Sequence, residues 1–457
     1  MLDEKQYNAG IQSQNIGSNE FGSNNILDEK QLGPAPQIEI NLEYKPITLD
    51  QIQQQKVAPK KQSSYKGATL TLFKTFVGSG ILALPYSFAK GGYVLSTIVF
   101  VLLSLLINYQ QVNFIMMADK YRQPNQLMDY SKFIEITLGA RYRSFSKLIV
   151  GTMQWGCCIS YVIFFMEFFE IAFYGNSASS FQHQLYYLLI ALLILLPMTL
   201  ISNMAVFTKV SAIANGLIVF PLVMIMVSAI QAIINESYPE KQSLIDFTGL
   251  STMIGVSIYS FEAVGVLLNI QSSMQKKEKF QRLLQLTTIA VVFLFIIFSL
   301  VCGIGYGTDI NQIVLFNLQD NPFMAVVQIS YAIGLLLSFP VQLLPAFQIL
   351  ETNQRVNSYI QKSQESANRK RIIIRMVQVV LLSLIAMFIP QFAVFLSLVG
   401  GFSGSALQFY FPLIIYKKNF FDNQPVRQRT TYCCLMIIGI IVGSFAAINS
   451  LILLIKG

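Results

Sequence analysis

FKTFVGSGILALPYSFAKGG, residues 73–92, is apolar along most of its length, yet it carries Gly78, Ser79 and Gly80 near its middle and Pro85 shortly after. Glycine loses the most conformational freedom on helix formation, and proline removes a donor and crowds the preceding turn. The stretch therefore predicts a membrane helix that is broken near its midpoint. A second interrupted segment lies five helices further on: GLSTMIGVSIYSFEAVGVLLNIQSSM, residues 249–274, where Gly255 and Gly265 bracket Ser257, Tyr259, Ser260 and Glu262. Interrupted helices at matching positions of two halves are a sequence pointer to a binding site between inverted repeats.

The rest of the chain fits that frame. Of its 457 residues 54% are hydrophobic and 12% charged, more apolar side chain than one soluble core can bury. Apolar runs near the bilayer-spanning length of roughly 20 residues fall at 68–89, 93–117, 148–172, 185–201, 206–234, 249–270, 284–305, 323–346, 372–388, 391–415 and 431–454. In hydrocarbon every backbone polar group must be paired, and none of these runs alternates like a barrel strand. The expected fold is an all-α polytopic membrane protein of eleven transmembrane helices, embedded in a lipid bilayer, with helices one and six broken.

Lys and Arg counts orient it, because positively charged loops stay cytosolic. The segments 118–147, 271–283, 351–375 and 416–430 carry 20 of these residues, whereas the alternate set carries only Lys90 and Lys241. This predicts a cytosolic N-terminus and, after eleven crossings, a luminal or extracellular C-terminus. The sequon Asn235-Glu236-Ser237 falls on the outer side, as required. Residues 1–66, rich in Gln, Asn and Ser with scattered Pro and no sustained apolar period, read as a disordered cytosolic tail preceding a transporter domain at 67–457. With no cleavable leader pattern, the first spanning helix is expected to serve as the insertion signal. The net charge of +9 reflects loop asymmetry, so no nucleic-acid partner is expected.

The two breaks carry the chemistry. Freed N–H groups at 78–80, at the positive end of a half-helix, suit a carboxylate, and freed carbonyls of helix six suit an ammonium group. Together they describe a site for a zwitterion of amino-acid size, with close helix packing through small residues as the competing reading. Ionisable side chains inside a membrane invite functional roles. Glu262, in the second break, is the leading candidate for ion coupling, against a role as a cap on the broken helix. Lys209, early in helix five, is a second coupling candidate, although its place near the cytosolic end favours snorkelling, as it does for Lys74. Glu167 and Glu170 near the outer end of helix three could shape a vestibule, and the sole histidine, His183, falls in an outer loop. The five cysteines sit inside predicted helices without metal-ligand spacing and read as packing residues. One histidine excludes an HExxH zinc site, and no P-loop is present, so neither an enzyme nor a nucleotide-driven pump is expected and no metal or cofactor is called for. A sensor with a transporter fold and a passive channel stay open as alternatives.

The helix-one stretch FKTFVGSGILALPYSFAKGG resembles the signature of the amino acid/auxin permease family, particularly its vacuolar and proton-coupled amino acid transporter branches. Similar stretches are QWGCCISYVIFF, the pair Ala214-Asn215, SIYSFEAVGVLL, LLLSFPVQLLPAFQILE and FLSLVGGFSGSALQFYFP, so the likeness covers about 67–454. It implies that the first ten helices form two inverted five-helix repeats. It further implies symport of small neutral amino acids by alternating access, driven by protons or, in other branches, sodium, in a vacuolar or lysosomal-type membrane. Carried over by position, Val77, Gly78, Ser79 and Gly80 would hold the substrate carboxylate, Tyr259, Ser260 and Phe261 its amino end and side chain, and Tyr161 would line the cavity from helix three. The chain departs from the pattern at Thr71, where animal proton-coupled members have histidine, and at Asn269 and Gln271, where relatives have proline and an acidic residue.

Overall fold

The computed structural model describes residues 64–122, 128–174, 181–198, 204–235, 243–318, 322–362, 366–389 and 391–456. Residues 1–63, most of the expected tail, lie outside the described residues, as do Glu236 and Ser237 of the sequon.

The first apolar run forms two helices, α1 (Tyr65–Phe76) and α2 (Gly80–Gly91), bent by 49° across Val77-Gly78-Ser79. Then follow α3 (Tyr93–Asp119), a short α4 (Tyr130–Leu138), α5 (Ala140–Tyr174), α6 (Phe181–Met198) and α7 (Met204–Ile234). The sixth run is again divided, into α8 (Leu250–Ser260) and α9 (Val264–Ser273). Next come α10 (Phe280–Tyr306), α11 (Pro322–Glu351), the short α12 (Gln354–Gln361) and α13 (Ala367–Met387). The tenth run starts as α14 (Phe392–Val399), widens into π-helical turns at Gly400–Gly404 and Ala406–Tyr410, and ends as α15 (Phe411–Asn419). The last helix is α16 (Val426–Lys456).

Among the described residues eight helical stretches are long and apolar enough to cross a membrane, and the bent pair α1 and α2 makes a ninth candidate. Helices α6 and α13 coincide with the fourth and ninth predicted spans. The apolar part of α6 is shorter, Gln182–Pro197, and α13 opens with the charged sequence ANRKRIIIR. The protein is thus an all-helical polytopic membrane protein. Helix α5 begins eight residues before its predicted span, and α4 occupies a segment that composition reads as loop. Asp129 caps α4 by accepting from the Lys132 amide at 2.7 Å, and Gly139, at φ +106°, ends it. His183 lies in the first turn of α6 and not in a loop.

Small residues set how closely the helices approach. Gly439 and Gly443 place a GIIVG motif of α16 against the tenth run: a Cβ on Gly443 would overlap the Ser405 Cβ, and one on Gly439 would lie 2.6 Å from the Phe409 ring. Helix α8 is held more tightly still. A Cβ on Gly255 would overlap the Ser397 carbonyl oxygen, and one on Gly400 would overlap the Gly255 carbonyl oxygen and fall 2.7 Å from the Tyr259 nitrogen. These neighbours are backbone and cannot rotate away. Gly400→Ala is therefore expected to destabilise the bundle by about 1–3 kcal/mol or more through overpacking, read as a lower thermal unfolding midpoint in detergent, with an unchanged midpoint counting against this seam.

The turn between α2 and α3 is clamped from the other end of α8. Gly92 adopts φ +79°, and a Cβ there would lie 2.7 Å from the Ile245 and Asp246 backbone. The Asp246 amide donates to the Gly91 carbonyl at 3.2 Å. Hydrogen bonds from the Thr248 hydroxyl and amide keep the Asp246 carboxyl below the usual carboxylate range. The chain leading into α8 is thereby fastened to the chain leaving α2, so the two broken helices are held side by side.

Candidate substrate site

Val77 has φ −85° and ψ 82°, outside the helical region, and its N–H still donates back to the Phe73 carbonyl at 3.0 Å. The Gly78 amide turns back to the Phe76 carbonyl at 3.1 Å. Among the described residues, the amides of Ser79 and Gly80 make no hydrogen bond, nor does any donor reach the Val77 carbonyl. Unpaired backbone groups of this kind are costly away from water, and here they sit at the positive end of the 12-residue helix α2. Space is available beside them, since a Cβ built on Gly78 meets nothing within 4 Å.

Helix α8 forms the facing wall. A Cβ on Gly80 would stand 2.6 Å from the Ser260 Oγ and 3.1 Å from the Tyr259 Cδ1, so the two breaks touch at Gly80. The Tyr259 hydroxyl lies 3.0 Å from the Ser79 Oγ and donates to the Cys157 Sγ at 3.2 Å, and the Ser79 Oγ also meets the Ser160 Oγ at 3.2 Å. One polar cluster thus ties α1/α2, α5 and α8 together inside an otherwise apolar bundle. Cys157, which sequence presents as a packing residue, belongs to that cluster, and so does Ser160 of the same QWGCCISYVIFF stretch. Tyr161 is one turn beyond Cys157 on the same face of α5, buried, with its ring 6.4 Å from Phe339 of α11.

Other expected residues are placed differently from one another. Val77 is buried beside the break. The Ser260 hydroxyl donates within its own helix to the Val256 carbonyl at 2.8 Å. The Phe261 ring is fully buried among Phe76, Phe100 and Phe295, at centroid distances of 5.9, 5.4 and 5.8 Å. Its side chain is therefore packed away from the break, and its carbonyl is already engaged. The Gln111 Nε2 donates to the Phe261 carbonyl at 3.0 Å, and the Gln408 Nε2 donates to the Ile258 carbonyl at 3.3 Å. Two side-chain amides, from α3 and from the π-helical turns, thus satisfy carbonyls freed at the second break, which sequence alone leaves for an ammonium group. No local signal marks either glutamine, because both lie about 150 residues from the carbonyls they serve.

Glu262 is half-buried at the mouth of α9, and its Oε1 accepts from the Gly265 amide at 3.4 Å. It caps the second half-helix while carrying an ionisable group in the break. Lys209 lies on α7, and its side chain is outside the described residues. Glu167 and Glu170 are half-buried toward the C-terminal end of α5 and form no salt bridge among the described residues. Gln271, at the position where an acidic residue was the family expectation, donates to the Asp119 Oδ1 at 3.0 Å and accepts from the Arg122 guanidinium. A neutral amide bridging both charges keeps the ends of α3 and α9 together where a carboxylate would face Asp119.

Removal of the Gln408 amide tests the second break. Gln408→Leu leaves the Ile258 carbonyl without this donor in a buried setting, at a cost of about 1–3 kcal/mol. The expected result is a lower unfolding midpoint with reduced ligand affinity, and retention of both would show that the clamp is dispensable.

A polytopic helical bundle with two contacting helix breaks has the architecture of a membrane transporter, and the fold is shared with a solved one. The chain superposes on a Na+-coupled sialic acid symporter in its substrate-bound outward-open state with a TM-score of 0.51, at 12% identity, covering 85% of this chain and 90% of that one. The chain belongs to the transmembrane amino acid transporter protein family, whose model matches residues 61–456. It is 29% identical over 366 residues to Vacuolar amino acid transporter 3 of Saccharomyces cerevisiae, covering 79% of this chain and 52% of that protein, about half its length. It is 25% identical to Amino acid transporter AVT3C of Arabidopsis thaliana, covering 83% of this chain and 90% of that protein. The Vesicular inhibitory amino acid transporter of Homo sapiens is 23% identical over 357 residues, covering 74% of this chain and 66% of that protein.

Proposed function

We propose that the protein is a secondary active transporter of small neutral amino acids, coupled to protons, working by alternating access in a vacuolar-type membrane. The observation that carries this reading is the contact between the two breaks. The unpaired amides of Ser79 and Gly80 lie beside open space at Gly78, against Tyr259 and Ser260. Amides at a helix N-terminus attract a carboxylate, and the family membership narrows the carboxylate to that of an amino acid. Val77, Gly78, Ser79 and Gly80 hold that end in this reading, with Tyr259, Ser260 and the Phe261 backbone beside the amino end and Tyr161 further along the cavity. Eleven helices cross the bilayer, the first ten as two inverted repeats. The residues that precede α1 form a cytosolic tail, and the C-terminus is luminal.

Glu262 carries the coupling proton, neutral in one conformation and ionised in the other, with Lys209 the alternative coupling residue. The driving force is adequate: one pH unit supplies about 1.4 kcal/mol, or about a tenfold solute gradient with one proton per solute. The test is counterflow in proteoliposomes with a panel of labelled amino acids, run with and without a pH difference. Exchange of neutral amino acids that becomes net accumulation under an acid gradient is the expected result. Binding without flux would identify a sensor, and uptake driven by sodium but not by acid would replace the proton.

A further inference from the structure

A second site lies away from the breaks, on the face of the bundle where α6 and α13 meet. Leu196 of α6 and Ile373, Met376, Val377, Val380 and Leu381 of α13 line a groove of about 320 Å³. The α13 residues fall at three- and four-residue spacings, so they form one apolar stripe along the helix. In a bilayer such a groove is filled by hydrocarbon. A lipid chain seated there merely exchanges one apolar surrounding for another, so the groove supplies shape, and any preference among lipids must come from the head group.

The same stripe runs back to a basic cluster. Arg369 and Lys370 precede Ile373 by four and three residues, Arg371 follows them, and the first turn of α13 contains no acidic residue. Arg375 is already paired with Glu351 at 2.7 Å. Lys370 donates to the Tyr359 carbonyl at 3.0 Å and lies over the Tyr359 ring at 4.8 Å. Arg369 and Arg371 are exposed and form no ion pair among the described residues. Cations at the start of a helix oppose its dipole, and the segment 365–371 holds three cations against one carboxylate, Glu365, which lies outside the described residues.

We infer that the groove and the basic cluster together form a binding site for an anionic glycerophospholipid, with an acyl chain along the Ile373–Leu381 stripe and the head-group phosphate at Arg369 and Lys370. Charge complementarity selects the ligand: a zwitterionic lipid fits the groove equally well but adds no net negative charge beside Arg369 and Arg371, which form no ion pair among the described residues. The site is independent of the amino acid reading, because it shares no residue with the helix breaks.

The experiment uses the full chain, purified and exchanged into defined mixtures of phosphatidylserine and phosphatidylcholine, with retained lipid counted by mass spectrometry. Preferential retention of phosphatidylserine is expected. Arg369→Gln should reduce that preference about fivefold, the equivalent of about 1 kcal/mol for one cation at a membrane surface. Val377→Trp, which fills the groove, should abolish retention of the preferred lipid. Arg427→Gln, at an exposed basic residue in the first turn of α16, should leave the preference unchanged. Equal retention of the two lipids, no effect of Arg369→Gln, or an equal effect of Arg427→Gln overturns the site. Arg369 is exposed and its replacement leaves the core intact, so the test stands even if Val377→Trp does not fold.

Discussion

Replacing Gly80 with alanine is expected to reduce amino acid flux about tenfold or more, whereas replacing Gly78 leaves the fold intact and raises KM. The two glycines are two residues apart but differ in what surrounds them. At Gly80 the new methyl group would enter within 2.6 Å of the Ser260 Oγ and 3.1 Å of the Tyr259 ring. The Ser260 hydroxyl is already committed to the Val256 carbonyl, so rotating it away sacrifices a buried hydrogen bond. Overpacking of this kind costs about 1–3 kcal/mol, and about 1.4 kcal/mol is a factor of ten in an equilibrium. The penalty falls on the state in which the two breaks touch. At Gly78 the methyl meets open space, the space a substrate carboxylate would occupy, so the cost appears only on binding. Uptake kinetics in proteoliposomes, paired with thermal unfolding of each variant, decide the matter. Wild-type flux in Gly80→Ala, or an unchanged KM in Gly78→Ala, would contradict this division of roles.

Glu262→Gln is expected to abolish accumulation driven by a pH gradient while preserving exchange. Glutamine keeps an acceptor oxygen in reach of the Gly265 amide, so the cap on α9 survives. What disappears is the ionisable group. With one proton per solute, a gradient of one pH unit supports about tenfold accumulation, and in the variant that should fall to equilibration. Glu262→Ala loses the cap as well and should be less stable by about 1 kcal/mol. The two variants together separate the electrostatic role from the structural one. Continued acid-driven accumulation in Glu262→Gln would assign Glu262 to the cap alone and move the coupling elsewhere.

The first break is legible in the sequence because its cause is local. Gly78, Gly80 and Pro85 weaken a helix whatever surrounds it, and the chain divides at Val77-Gly78-Ser79 as those residues demand. The second break is legible only in outline. Gly255 and Gly265 bracket it, yet the helix is interrupted at Phe261-Glu262-Ala263, and Gly255 lies inside α8. Gly255 is small because the tenth run presses on it through Ser397 and Gly400, a requirement set by residues about 140 positions away. The π-helical turns at Gly400–Gly404 and Ala406–Tyr410 read in sequence as ordinary spanning helix, since their apolar composition is that of any membrane segment.

Composition, apolar run length and the placement of glycine and proline determined by themselves that this chain enters a bilayer as a helical bundle and breaks its first helix. Those properties follow from backbone hydrogen bonding in hydrocarbon and from local conformational preference, and each is decided within about 20 residues. Only the tertiary structure decided what faces the break: Tyr259 bonded to Ser79 and Cys157, Gln111 and Gln408 on the freed carbonyls, and an aromatic cluster behind Phe261. These contacts join residues far apart in the chain, 180 positions in the case of Ser79 and Tyr259. In a membrane, where one apolar surface packs much like another, such partners are chosen by shape and by the need to satisfy buried polar groups, and neither is written in local sequence.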